Sequence, residues 1–225
     1  MKSFDNEWEK IHASQEWGKY PSENVIRFIA RNYYSKDRLK TRILDFGCGA
    51  GSNTWYLAKE GFDVYAFDGS VSAVEKTKKR LKEEKLNGGE NIIVCDALEL
   101  PYEEEYFDCV IDNAVVYANT YANTYANINL MYSNIYRILK TDGKLFSVVF
   151  TTETTGYKTG KAIEKNTYSD IQEGALAGRG TAHFFEQEEL YTLLSNVGFK
   201  DIKTDVLRYT DRGSIIEEFL VQAQK

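Results

Sequence analysis

From about Arg42 onward, apolar runs alternate with amphipathic stretches of helical period, and that alternation narrows the possible folds more than any other feature of the chain. A strand that is apolar along its whole length has to be covered on both faces, and helices between successive strands supply the cover. RILDF (42–46), DVYAF (63–67), NIIVC (91–95), FDCVID (107–112) and KLFSVVF (144–150) read as strands. Between them lie a helix through TWYLAKE stopping at Gly61, a helix from Ser70 to about Leu86 capped by Ser70, and a helix from about Tyr121 to Lys140 closed by Thr141-Asp142-Gly143. The helix EQEELYTLLSNV ends at Gly198, and FKDIKTDVLRY and SIIEEFLVQAQ follow, joined by a TDRG link short enough for an antiparallel hairpin. The expected fold class is therefore α/β, a doubly wound seven-stranded, mostly parallel sheet. Residues 151–182 are rich in Thr, Gly and Lys, lack clean periodicity, and read as a long irregular connection.

The first strand runs into Gly47-Cys48-Gly49-Ala50-Gly51 and then into a helix. Glycines at that place let the backbone turn tightly and let a ligand lie against bare main chain at the carboxyl end of a strand. The second strand ends at Asp68, where a carboxylate can accept hydrogen bonds from both ribose hydroxyls of a nucleoside. A dinucleotide loop of the form G-x-G-x-x-G would need glycine where Ser52 stands. Asp45 lies just before the loop; it repels a pyrophosphate, whereas a sulfonium with an ammonium group nearby suits it.

With these features the sequence resembles the class I S-adenosylmethionine-dependent methyltransferases, whose first motif has the form acid-x-Gly-x-Gly-x-Gly. The resemblance runs from about Arg42 to the carboxyl end. It implies a Rossmann-like sheet with one antiparallel strand, S-adenosylmethionine as cofactor, S-adenosylhomocysteine as product, and a small-molecule methyl acceptor. Asp45, Gly47, Cys48 and Gly49 match the first motif, Asp68 the ribose-binding acid, and Gly69 and Ser70 the turn behind it. VCDALEL (94–100) matches the stretch in which Asp96 meets the adenine amino group while Ala97 and Leu98 line the ring edge. FDCVIDNAVVY (107–117) matches the fourth strand, whose end near Asp112 and Asn113 lies beside the methionine part of the cofactor. Trp17 and Tyr20 belong to the segment that folds over the cofactor in many relatives.

The chain then divides, as one domain over 1–225, into a helical cap (1–40), a cofactor-binding half (41–150), a substrate lid (151–182) and a closing helix and hairpin (183–225). Tyr117 follows the fourth strand closely and is a candidate for the acceptor site. Tyr117, Tyr121 and Tyr125, four residues apart, otherwise form an aromatic packing stripe. Arg179 can meet an anionic group on the acceptor or simply be solvated. Of the two histidines, His12 reads as surface and His183 as the candidate general base at the pocket mouth. Asp45 and Asp96 each have a plainer reading, as caps of a loop or turn.

A net charge of −6 and the absence of a long basic run argue against a nucleic-acid partner. The run Asp112-Asn113-Ala114-Val115 also lacks the Asn-Pro-Pro-Tyr pattern with which related enzymes methylate base or amide nitrogen. No metal is expected, since Cys48, Cys95 and Cys109 form no ligand spacing, and Cys95 and Cys109 read as core. Without a signal core or an apolar run of membrane length, the expected setting is the cytoplasm, away from membranes. A nicotinamide-dependent oxidoreductase and a non-catalytic cofactor-binding protein are the rival readings.

Overall fold

In a computed structural model, residues 3–118 and 124–225 are described. Two helices, α1 (Asn6–Ser14) and α2 (Glu23–Tyr33), precede the first strand. There follow β1 (Arg42–Phe46), α3 (Ser52–Lys59), β2 (Asp63–Asp68), α4 (Val71–Glu83), β3 (Ile92–Val94), β4 (Phe107–Asn113), α5 (Thr124–Ile138) and β5 (Leu139–Phe150). Then come β6 (Lys161–Glu164), β7 (Thr167–Ser169), β8 (Ala182–His183), α6 (Gln187–Val197), β9 (Lys200–Asp211) and β10 (Ser214–Gln224).

Seven of the strands form one sheet in the order β3-β2-β1-β4-β5-β10-β9. All neighbours pair in parallel except β10, which runs antiparallel to both β5 and β9. The period-two alternation of strand side chains sends neighbouring residues to opposite faces. Leu44, Val110 and Leu145 pack under α5 and α6 with Ile128, Tyr132 and Leu194, whereas Ile43, Ile111 and Phe146 pack under α2 and α3 with Phe28, Ile29 and Leu57. Strand order reverses between β1 and β4, and the carboxyl ends of β1, β2 and β4 fall at one edge of the sheet, where such folds open a binding crevice.

Four expectations need correction. Thr141-Asp142-Gly143 does not close a helix: α5 ends at Ile138, β5 begins at Leu139, and the triplet bulges within the strand, with Asp142 in the left-handed region at φ 63°. An Asp tolerates that conformation, so the turn signal and the strand coexist. The strand at 91–95 shrinks to Ile92–Val94, leaving Cys95 beyond the strand and half-buried against the edge of the core. The 151–182 excursion is not irregular throughout, for β6, β7 and β8 form an antiparallel three-stranded sheet. His12, expected at the surface, is buried. The position of Tyr121 lies outside the described residues.

Candidate cofactor and acceptor cavity

A cavity of about 440 Å³ opens at the switch point, a size ordinary for a small-molecule site. At one end it is walled by the glycine loop. Gly47 has φ 67°, and a side chain there would place its Cβ 2.5 Å from Val115 Cγ1, so β1 and the segment after β4 can meet only over bare backbone. Gly49 is likewise left-handed, with the His12 ring against it. Asp68, at the end of β2, accepts hydrogen bonds from Gly49 N–H at Oδ2 and from Ser70 N–H at Oδ1, both 2.8 Å. Burial pushes its carboxyl up from the usual range, partly offset by those two bonds. Each oxygen keeps a lone pair for a further donor.

The first forty residues complete this end. Glu9 on α1 accepts the hydroxyls of Ser70 and Ser72, each at 2.6 Å, and the Lys76 ammonium donates to the carbonyls of His12 and Gln15. That docking brings Ser3, Phe4, Trp8, His12 and Trp17 to the cavity wall. The Trp17 ring lies 5.3 Å beneath the Arg179 guanidinium, which also faces the cavity. At the other end stand Met131, Tyr117 and Phe150, the last two edge to face at 4.9 Å, followed by Tyr209 and Glu218 from the closing hairpin.

Of the residues expected from the sequence, Gly47, Cys48, Gly49, Asp68, Gly69, Ala97, Asn113, Trp17, Tyr117 and Arg179 line the cavity together. Burial pushes the Cys48 thiol up, so it is an inert wall. Other expected residues stand behind the wall. Ser70 caps α4, accepting from Ala73 N–H at 3.0 Å. Asp96 is closed off by the Ser3 backbone and hydroxyl at 2.8 and 2.7 Å, and also accepts from Leu98 N–H, so Asp96 and Leu98 shape the turn that presents Ala97.

Three further residues expected in direct contact do not line the cavity. Asp45 does not face a ligand: it is 1% exposed and bonded to Thr54 Oγ1 at 2.6 Å and Asn53 Nδ2 at 3.3 Å, so it anchors the first turn of α3, with its carboxyl pushed up by burial to about 6. Tyr20 is 73% exposed and stacks edge-on against Trp55, away from the cavity. His183 is fully buried in β8, with Nδ1 2.8 Å from the Thr167 hydroxyl and Nε2 3.4 Å from the Glu189 carboxylate. Its ring packs on Phe185 rather than at the pocket mouth, because strand pairing with β7 turns it inward. Its backbone N–H does reach the site, donating to the Tyr117 carbonyl at 3.0 Å.

The sequence reading missed His12, Trp8, Phe4 and Glu218. Trp8 and His12 sit on α1, and Phe4 just ahead of it, and the docking of that segment is defined only by α4. Glu218 had a visible signal, a pair of acids inside the otherwise apolar SIIEEFLVQAQ. Among the described residues no cluster of His, Cys, Asp and Glu could hold a metal ion.

The arrangement fits an adenosine-bearing ligand on two observations: loop positions that a Cβ would fill, and a buried strand-end carboxylate with lone pairs to spare. Comparison with known proteins agrees. Residues 37–198 match the model of a methyltransferase domain. Two demethylmenaquinone methyltransferases are similar along most of their length: that of Lactobacillus johnsonii is 24% identical, covering 80% of this chain and 79% of its own, and that of Oceanobacillus iheyensis is 27% identical, covering 90% and 91%. Among solved structures, an S-adenosylmethionine-dependent methyltransferase from Methanosarcina mazei superposes with a TM-score of 0.72 at 25% identity, covering 88% of this chain and 96% of that one. The glycine loop, the strand-end acid, the antiparallel seventh strand and the family match together make this chain a member of the S-adenosylmethionine-dependent methyltransferases.

Proposed function

We propose that the protein transfers a methyl group from S-adenosylmethionine to an O, N or C atom of a small, largely apolar molecule held between Tyr117, Phe150 and Met131. The observation that carries the reading is the continuity of the cavity from Asp68 and the glycine loop to that apolar end. The ligand supplies an electrophilic methyl group; the protein has to hold the acceptor in line with it and exclude water. Orientation of that kind is worth up to about 7–11 kcal/mol in favourable intramolecular cases. Asp68 would hold the ribose, Gly47, Gly49 and Asn113 the amino-acid part, and Ala97 the adenine edge. The segment 151–182, which contributes Arg179, would cover the acceptor. The names of the two similar demethylmenaquinone methyltransferases support a ring-bearing acceptor, and the net charge of −6 supports a partner other than nucleic acid. Three free cysteines support a reducing compartment such as the cytoplasm, and among the described residues no helix is long and apolar enough to cross a membrane.

Calorimetry with S-adenosylmethionine, S-adenosylhomocysteine, NAD(H) and NADP(H) tests the assignment. Binding of the first two alone is expected; binding of a nicotinamide nucleotide alone would turn the reading to an oxidoreductase. Detection of a methylated product would exclude a non-catalytic binding protein.

A further inference from the structure

Glu217 and Glu218 are neighbours on β10, and the pleat sends them to opposite faces. Glu217 is satisfied: its carboxylate accepts from Thr151 Oγ1 and from the Arg208 guanidinium, both at 2.9 Å. Glu218 faces the cavity, and among the described residues its carboxylate has neither a hydrogen bond nor an ion pair. The backbone just before it is pinned. Glu217 N–H donates to Thr154 Oγ1 at 3.0 Å, the Glu217 carbonyl accepts from Thr151 N–H at 2.9 Å, and the Ile215 carbonyl accepts from Thr155 N–H at 2.9 Å. The side chain is half-buried, so its carboxylate gives up part of its hydration without a protein partner in return, and such groups gather where chemistry needs them.

The groups around it define what it can do. Tyr117 from the segment after β4, Tyr209 from β9 and Arg179 from the excursion face the same space, with His12 and Asp68 farther along at the glycine-loop end. Burial and then the Glu218 charge raise the Tyr209 phenol; burial, opposed by Arg179, raises that of Tyr117, where Glu218 adds to the rise. Both tyrosines therefore stay protonated and act as donors or as wall. Arg179, over the Trp17 ring, and Glu218 line the same cavity, and among the described residues no ion pair joins them.

We propose that Glu218 is the base that takes the proton of an aromatic hydroxyl on the acceptor, with Arg179 stabilising the oxygen's negative charge as it develops. In the balanced step, Glu218 takes the hydroxyl proton while the acceptor oxygen bonds to the methyl carbon, and the electron pair of the broken carbon–sulfur bond stays on sulfur. The carboxyl then returns its proton to water. A base of this kind contributes about 10²–10⁴-fold when the acceptor must lose a proton. Burial pushes the Glu218 carboxyl up to about 7, which suits it to accept a proton near neutrality.

The inference rests on the methyltransferase reading, and the test separates the two. The full chain, saturated with S-adenosylhomocysteine, is titrated with 1-naphthol at pH 5.5 and pH 8.5. The wild type is expected to bind naphthol about tenfold more tightly at pH 8.5, where ionised Glu218 accepts the O–H. Glu218→Gln should abolish that difference with S-adenosylhomocysteine affinity unchanged, and Glu218→Asp should restore part of it, which also guards against a glutamine variant that folds poorly. No naphthol binding by the wild type, or an unchanged pH dependence in Glu218→Gln, overturns the proposal. Failure of the wild type to bind S-adenosylhomocysteine instead overturns the cofactor assignment.

Discussion

The two ends of the cavity are built in different ways. At the glycine-loop end the carboxylates have internal partners drawn from adjoining parts of the fold: Asp68 is bonded by Gly49 and Ser70, Asp45 by Asn53 and Thr54. At the far end Tyr117, Tyr209 and Glu218 come from three separate segments, and the Glu218 carboxylate has no such partner among the described residues. The near end is set before any ligand arrives, which keeps the ordering cost of binding low. The far end leaves its charge uncompensated, so an acceptor supplies what the protein withholds.

The sharpest way to break this contrast is at Asp68. Asp68→Ala leaves Gly49 and Ser70 N–H unpaired and would remove the two charge-assisted bonds proposed to the ribose. Hydrogen bonds to charged groups are worth about 1.5–3 kcal/mol each, so affinity for S-adenosylhomocysteine should fall at least about 100-fold by calorimetry. A loss under threefold would show that the near end does not hold the ribose. Gly47→Ala comes next. It forces a side chain into the left-handed region and against Val115, and should cost about 2–4 kcal/mol in urea unfolding. Unchanged stability would mean that the close approach of β1 and the segment after β4 relaxes freely.

The same contrast explains what the sequence revealed. The glycine loop and Asp68 were legible as cavity wall because a local stretch of chain fixes both the backbone turn and the strand end. Tyr117 was legible by its closeness to the end of β4. The pair of acids at Glu217 and Glu218 was visible, but which of them meets the cavity depends on β10 inserting antiparallel beside β5, which pairs Glu218 with Phe150. His12 was misread because one histidine on a short amphipathic helix gives no sign of what the helix packs on. Asp45 and Asp112 were grouped with Asp68 as acids around a cationic ligand, yet each is buried and bonded to its own neighbours, Asp112 to Val115, Val116 and Ser147. Strand-end position was readable; the direction in which a side chain points was not.

Asp45 gives a test with the opposite sign. Its carboxyl is pushed up by burial from 3.8 to about 6, so between those values the folded chain holds a proton that the unfolded chain has lost. Folding stability from this group therefore falls as pH rises from about 4 to 6, by up to about 3 kcal/mol. In Asp45→Asn the amide oxygen can still accept from Thr54, and its N–H can serve Asn53 Oδ1, which has no partner among the described residues. The variant should show a shallower fall of urea midpoint between pH 4 and 7. Its affinity for S-adenosylhomocysteine should stay within threefold, because Asp45 does not line the cavity. A tenfold loss of affinity would return Asp45 to the ligand.

The smallest effect is expected at His183, and it decides which residue of the far end acts on the acceptor. His183 contacts Thr167, Glu189 and Phe185, and only its backbone N–H touches the site, through the Tyr117 carbonyl. Glutamine keeps that backbone bond and can still pair with Thr167, losing mainly the ring packing and the contact with Glu189. His183→Gln should therefore lower stability by about 1–2 kcal/mol, the range for one buried hydrogen bond with its packing, and leave the pH dependence of 1-naphthol binding as in the wild type. If that dependence vanished in His183→Gln and survived in Glu218→Gln, the base would be the histidine, and β8 would have to turn outward when an acceptor binds.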